Sequence, residues 1–268
     1  NKAIELIIRA NDPNTMRYLI PALKDENEYA RRAAVEVLNS LGTAKDIKQL
    51  LNIVRDQDWW VRSRAADALG KIGGPKVIEA VIQLIGDEDQ DVRRAAIEIL
   101  HQTKDERAVD FLIKATDDKD WWTAERAIDA LGEIGNTKAL PRLIDLAGHG
   151  NQELLPAVAR ALGKIGASSS LDTVIQLLKT GDKVTKIESL TALGRITDSL
   201  SAHITKPIIL QVIQDTVDEG IIDAARKALE AVEQKSVTIA ATQTSQQTLP
   251  VNQTLLSDKV NLKELVHS

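Results

Sequence analysis

The sequence has no cysteine, one methionine and one phenylalanine, and aromatic residues make up only 3% of its 268 positions. Without cysteine there is no disulfide, no thiolate metal site and no cysteine nucleophile, although such a chain fits any compartment; a cytoplasmic location is the expectation. So few bulky rings argue against one compact core of ordinary globular type, and the 43% of hydrophobic residues point instead to small-residue helices. No run approaches the roughly 18 uncharged apolar residues of a membrane span. A formal net charge of −5 disfavours sequence-independent attachment to a phosphate backbone. Neither membrane nor nucleic acid is an expected partner. The chain starts at Asn1, already inside an apolar helical pattern, and is expected to be part of something longer.

What is present is a repeat. Stepping by 31 from Leu38 gives Leu69, Leu100, Leu131, Leu162 and Leu193, and one step back gives Ile7. Two further columns stay in phase: Ala34, Ala65, Ala96, Ala127, Val158, and Ile20, Leu51, Ile82, Ile113, Ile144, Ile175. Each period reads as two short amphipathic helices, the first exemplified by Ile47, Leu50, Leu51 and Val54, the second by Val61, Ala65, Ala68, Leu69 and Ile72. Between them runs a column of short polar residues, Asn27, Asp58, Asp89, Asp120, Asn151 and Asp182, which read as N-caps of the second helix. That helix closes on Leu-Gly-x-Ile-Gly at 69–73, 131–135 and 162–166; the last glycine suits a left-handed cap, and the earlier one lets the next repeat come close. Units that cannot bury a face alone must stack, so the fold expected is an all-α, α-solenoid superhelix.

The ends depart from the pattern. After Leu193 the next equivalent is Leu229, a step of 36, which predicts a longer connection around 199–207 and a local change of curvature. A helix over about 223–233, charged away from Ala225, Leu229 and Val232, reads as a terminal capping repeat. Residues 1–10 match only a second helix, with Ala3, Leu6 and Ile7 in core slots. The solenoid is expected over 1–234 as a half repeat, six regular repeats and a cap. Beyond it, 235–268 reads as a Thr/Gln/Ser-rich linker or tail leading to a further domain, with a weakly amphipathic stretch over 255–266.

The segment Asp56-Gln-Asp-Trp-Trp-Val-Arg-Ser-Arg-Ala-Ala-Asp-Ala-Leu-Gly-Lys-Ile-Gly73 resembles the HEAT-like repeat of the phycobilisome lyase type. The resemblance spans 1 to about 234 and rests on the capping Asp, Val-Arg, Ala-Ala and Leu-Gly-x-Ile-Gly in order. Repeat three departs from it with His101 and Lys104 in the glycine slots, and repeats five and six lose Val-Arg at Leu154-Leu155 and Thr185-Lys186. The resemblance implies interaction scaffolds, bilin lyase subunits, and arrays attached to signalling or catalytic domains. It also implies that the second helices line a concave surface.

Three sets of side chains are candidates. An arginine column (Arg31, Arg62, Arg93, then Ala124 and Leu155) lapses one repeat before an acidic column (Asp25, Asp56, Asp87, Asp118, then His149 and Thr180), so an inter-repeat ladder is expected, Arg31 with Asp56, Arg62 with Asp87 and Arg93 with Asp118. Glu5, Glu36, Asp67, Glu98 and Asp129 stack along the implied concave face, followed by Arg160 and Thr191, with Lys164 and Arg195 one turn on. These form either a solvated face with pairs such as Asp67–Lys71, or a groove, acidic first and basic last, that orients a partner. At roughly 10 Å per repeat the carboxylates stand too far apart for paired acid–base chemistry. Finally, Tyr29, Trp59, Trp60, Trp121 and Trp122 all fall at the start of a second helix. One Trp of each pair is expected to pack under a neighbouring loop, and the other to stand on the rim as an anchor for a protein or a wall for a flat tetrapyrrole.

His101, His149, His203 and His267 lack ligand spacing, and no Ser-His-Asp constellation accompanies a strand-turn-helix. Gly70-Lys-Ile-Gly73 has no preceding strand, and Asn252-Gln-Thr254 is a formal glycosylation triplet in the tail. No catalytic residue, metal or cofactor is expected. The expectation is a non-enzymatic protein-binding scaffold, or a regulatory module of a larger signalling protein such as a kinase. A bilin lyase subunit is the alternative. A HEAT-like DNA glycosylase comes third, because it needs a basic groove.

Overall fold

A computed structural model describes residues 2–247 apart from Pro13, with side chains through Lys235. Helix α1 (Lys2–Ala10) precedes seven two-helix units. These are α2 (Thr15–Ala22) with α3 (Glu28–Leu41), α4 (Ile47–Ile53) with α5 (Trp59–Ile72), α6 (Gly74–Ile82) with α7 (Gln90–Thr103), and α8 (Val109–Ala115) with α9 (Trp121–Ile134). Then come α10 (Leu140–His149) with α11 (Leu155–Ile165), α12 (Leu171–Thr180) with α13 (Lys183–Ile196), and α14 (Ala202–Asp215) with α15 (Glu219–Gln247). There is no strand among the described residues. Each second helix packs on the second helix of the next unit, from α1 on α3 to α13 on α15, so these helices form one continuous face. The chain is an α-solenoid.

Two of the three columns that define the period are the core; in the third only Ile175 is buried, Leu51, Ile82 and Ile113 are partly buried, and Ile20 and Ile144 are exposed. Leu38, Leu69, Leu100, Leu131, Leu162 and Leu193 are all buried, with Ala34, Ala65, Ala96, Ala127 and Val158 beside them. All six Asx residues cap the following helix or turn, each side chain accepting from a backbone N–H two or three residues on. Two of the three glycines expected to permit close approach do so: a Cβ on Gly132 would lie 2.8 Å from Ala161 Cα, and one on Gly163 would lie 2.7 Å from Ala192 Cα, whereas one on Gly70 would meet the side chain of Gln102.

Three expectations about the ends change. Ala3, Leu6 and Ile7 are exposed, and α1 buries no residue, because no element among the described residues covers that face; Ile4 and Ile8 line a cleft with α3 instead. The five extra residues near 199–207 do not lengthen the connection. Ser201 N–H donates to Asp198 Oδ1 (2.8 Å), and Asp198 N–H donates to Ser201 Oγ (3.1 Å). This reciprocal turn closes the connection early, and the extra length goes into α14, 14 residues against 10 in α12. The last helix also outruns 223–233, running Glu219–Gln247 through residues with the composition of a linker. No Gly or Pro interrupts 235–247. Lys235 Nζ donates to the carbonyls of Gly194 (2.9 Å), Arg195 (2.6 Å) and Thr197 (3.2 Å), placing a cation on the C-terminus of α13. The amphipathic stretch 255–266, the triplet at 252–254 and His267 lie outside the described residues.

Candidate functional site

The face made by the second helices is a row of aromatic and guanidinium groups. Arg32 lies over Tyr29 (5.6 Å from cation to ring centroid) and Arg64 over Trp60 (5.3 Å), while Trp122 is flanked by Arg94 (5.5 Å) and Arg126 (5.7 Å). Each arginine is held by a carboxylate. Arg32 Nε donates to Asp58 (2.7 Å), and Arg94 donates through two nitrogens to Asp120 (2.8 Å each). The capping aspartates therefore do double duty, closing the start of one helix and tethering an arginine of the preceding repeat. Arg94, assisted by Thr123, holds the Asp120 carboxyl well below the usual carboxylate range. Arg64 reaches Asp67 (3.0 Å) and Glu36 (3.4 Å), and Arg126 reaches Glu98 (3.2 Å).

The acidic column is consequently not a free groove wall, and the division into an acidic first part and a basic last part does not appear. Arg160 binds Asp129 through Nε (2.8 Å) and Nη2 (3.1 Å) and also reaches Glu188 (3.0 Å). Lys164 meets Glu133 at 2.5 Å and Lys104 meets it at 2.7 Å, drawing its carboxyl down to about 2. The Asp67–Lys71 pair is absent, since Lys71 donates to Asn39 of the previous repeat (2.8 Å) and Asp67 is taken by Arg64. Of the remaining members, Glu5 lines a cleft between α1, α3 and α5, Thr191 bonds back to Ile187 O (3.0 Å), and Arg195 is exposed. The cleft, 590 Å³, is walled by Ile4, Ile8, Tyr29, Trp60 and Arg64. One buried polar atom on this face, Arg126 Nε, has no hydrogen bond, while Glu36 Oε2 meets only Arg64 Nε, at 3.4 Å.

The tryptophan pairs separate. Trp60 and Trp122 are half-buried on the second-helix face, while Trp59 and Trp121 are 67% and 55% exposed. Tyr29, in the Trp60 slot, is itself exposed.

The buried ladder forms at two of its three expected rungs. Arg31 Nε meets Asp56 at 2.9 Å and Arg93 Nε meets Asp118 at 2.7 Å. Arg62 does not pair with Asp87. It turns to Asp91 (2.5 Å), which occupies the aromatic slot of α7, and Asp87 is taken by Arg55. Sequence reading missed Arg32, Arg64, Arg94 and Arg126. Their signal was there at twice the period: Arg32 and Arg94, Arg64 and Arg126, and Trp60 and Trp122 are each 62 residues apart.

His101 is half-buried, and burial lowers its pKa below the ordinary imidazole value. His149 is exposed, and no group of three or more candidate metal ligands occurs among the described residues. No helix among them is long and apolar enough to cross a membrane.

A stacked array of two-helix units with a continuous second-helix face defines a helical-repeat protein. The family model for HEAT repeats matches in overlapping segments, 1–57, 16–87, 47–126, 78–155, 109–194 and 147–230, and the chain belongs to the HEAT-repeat family. No curated protein matches. Among solved structures, an engineered protein is similar at 18% identity and a TM-score of 0.51, covering 87% of this chain and 71% of its own. The CpcE–CpcF complex of phycocyanin lyase from Nostoc sp. PCC7120 is similar at 21% identity and a TM-score of 0.48, covering 81% of this chain and 94% of its own. Human deoxyhypusine hydroxylase follows at 20% identity and a TM-score of 0.40, covering 87% and 89%.

Proposed function

We propose that this chain is a non-enzymatic scaffold that holds a protein partner along its second-helix face. The observation that carries the reading is the tethered row Tyr29–Arg32, Trp60–Arg64 and Arg94–Trp122–Arg126, together with the unsatisfied Arg126 Nε on the same face. Aromatic and arginine side chains dominate binding energy at protein interfaces, and their value rises when their rotamers are fixed beforehand. The carboxylate tethers fix them here. Because the charges on this face are cross-paired, a partner gains little from long-range steering and binds through stacking and through an acceptor for Arg126 Nε.

Capture from a lysate of the source cells tests this, comparing wild type with Tyr29→Leu/Trp60→Leu/Trp122→Leu and with Trp59→Ala/Trp121→Ala, all matched for helical circular dichroism. The reading predicts that the first variant loses a captured protein that the second retains. Equal capture by all three, or loss only in the second, overturns it.

A further inference from the structure

We propose that the turn between α8 and α9 holds a vacant arginine site, which takes a guanidinium group offered by a partner polypeptide. The template is internal. Arg31 Nη1 donates to the carbonyls of Asp25 (2.8 Å) and Glu26 (3.1 Å), Arg62 Nη1 to those of Asp56 (2.8 Å) and Gln57 (3.2 Å), and Arg93 Nη1 to those of Asp87 (2.9 Å) and Glu88 (3.1 Å). In each case the acceptors lie six and five residues before the arginine. One period further on, the slot holds Ala124, and the corresponding carbonyls are those of Asp118 and Lys119.

The receptor persists although its arginine is gone. The capping residue of the turn has φ −77° and ψ 118° at Asn27, −86° and 118° at Asp58, −74° and 117° at Asp89, and −84° and 111° at Asp120. The internal brace is also the same: Asp58 N–H donates to Asp56 Oδ1 and Asp120 N–H to Asp118 Oδ1, each at 2.8 Å. The two carbonyls therefore keep the geometry that binds a guanidinium elsewhere, and no hydrogen bond reaches either of them among the described residues.

There is room for a guest. A cavity of 370 Å³ is lined by Asp118, Lys119, Trp121, Ala124, Arg142 and His149. Trp121, more than half exposed, supplies a flat apolar wall for an arginine stem. The wall is charge-balanced, with Arg142 serving both Asp145 (2.6 Å) and Asp117, Arg93 holding Asp118 (2.7 Å) and Lys119 beside them, so a guest guanidinium is held by the two free carbonyls and the Trp121 ring rather than by excess negative charge. The next slots of the same column offer no equivalent. At Leu155 the turn becomes a short 3-10 segment, Gln152–Leu154, and Lys186 brings its own cation.

This goes beyond the second-helix reading and is tested apart from it. Acetyl-Gly-Arg-Gly-amide is titrated by calorimetry against the full chain, beside the lysine and citrulline analogues and free L-arginine. We expect the arginine peptide to bind at least tenfold more tightly than the citrulline peptide and more tightly than free arginine. Ala124→Arg, which the same slot accommodates in three other repeats, should fold and abolish that binding by filling the site with the protein's own side chain. Trp121→Ala, at an exposed position, should weaken it severalfold, and Tyr29→Leu/Trp60→Leu/Trp122→Leu should leave it unchanged. No binding of the arginine peptide, equal binding of the citrulline peptide, or binding that survives in a folded Ala124→Arg variant overturns the proposal. Tighter binding of free arginine than of the peptide overturns the polypeptide source.

Discussion

Replacing Arg93 by Ala isolates one rung of the buried ladder. The side chains of Arg93 and Asp118 are only 6% and 9% exposed, and the guanidinium makes four hydrogen bonds: two to the Asp118 carboxylate (2.7 and 3.1 Å) and two to the carbonyls of Asp87 and Glu88. Removing one partner of such a pair leaves the other charge out of water without its counter-ion, which costs about 3–5 kcal/mol. Asp118 keeps the N–H of Asp120 as a donor, so the lower end applies, about 3 kcal/mol. Asp118→Asn keeps a neutral acceptor and leaves the guanidinium its two carbonyls, for about 2 kcal/mol. Because each loss already includes the other's, the double variant should cost about 3 kcal/mol, a coupling near 2 kcal/mol. Urea unfolding of the full chain followed by circular dichroism reads this directly, provided the denaturant slope is unchanged. The same cycle on Arg62 and Asp87 should give no coupling. On Arg62 and Asp91 it should give about 0.5 kcal/mol, because Asp91 is 46% exposed and solvent screens the pair. Additive losses at Arg93 and Asp118, or equal coupling at Arg62 and Asp87, would refute the reasoning.

Gly163→Ala places a Cβ 2.7 Å from Ala192 and should cost about 2 kcal/mol by forcing α11 and α13 apart. Gly166→Ala, where nothing crowds the new atom but φ is +72°, should cost only about 1 kcal/mol, measured in the same urea assay. Acid should weaken the array through Glu133: Lys104 and Lys164 draw its folded pKa to about 2, below the unfolded value, so its contribution is present at neutral pH and lost as pH falls from about 5 toward 2. Glu133→Gln should flatten that part of the pH profile by about 1 kcal/mol, since Lys104 is 54% exposed and part of the interaction is screened. Lys235→Met removes the cation from the C-terminus of α13 and should speed hydrogen exchange in the last turn of that helix without unfolding the rest.

The solenoid was legible because stacking makes burial periodic, and a column such as Leu38 to Leu193 cannot hold phase over the chain for any other reason. The caps were legible because an Asx side chain needs only its local backbone. The side-chain partners were not, because they depend on competition between neighbours. Arg62 leaves Asp87 because α7 places Asp91 in reach and Arg55 claims Asp87 from another helix. The carboxylates of the second-helix face were read as one column and the arginines were overlooked, since Arg32 and Arg64 occupy different slots of the 31-residue frame and recur only every second repeat. The exposure of Ala3, Leu6 and Ile7 shows the same limit: slot identity gives the face of a helix, but burial also needs a neighbour on that face.

The ladder and the close glycine contacts also divide the array between them. In the first repeats, charge links adjacent turns through Arg31–Asp56 and Arg93–Asp118, and the glycine slot of α5 is met by the side chain of Gln102, while α7 has His101 there. From Ala124 onward the ladder arginine is lost. Over the same repeats Gly132 meets Ala161, and Gly163 meets Ala192, backbone against backbone. A hydrogen-bonded rung resists the sliding of neighbouring turns but tolerates side chains between the helices. A glycine–alanine contact draws the helix axes together and leaves the turns to find their own spacing. The change of mechanism falls at the fourth repeat, where the last rung ends at Asp118 and the first close contact begins at Gly132. There the receptor for an arginine persists, but the chain no longer needs that arginine to hold its repeats together.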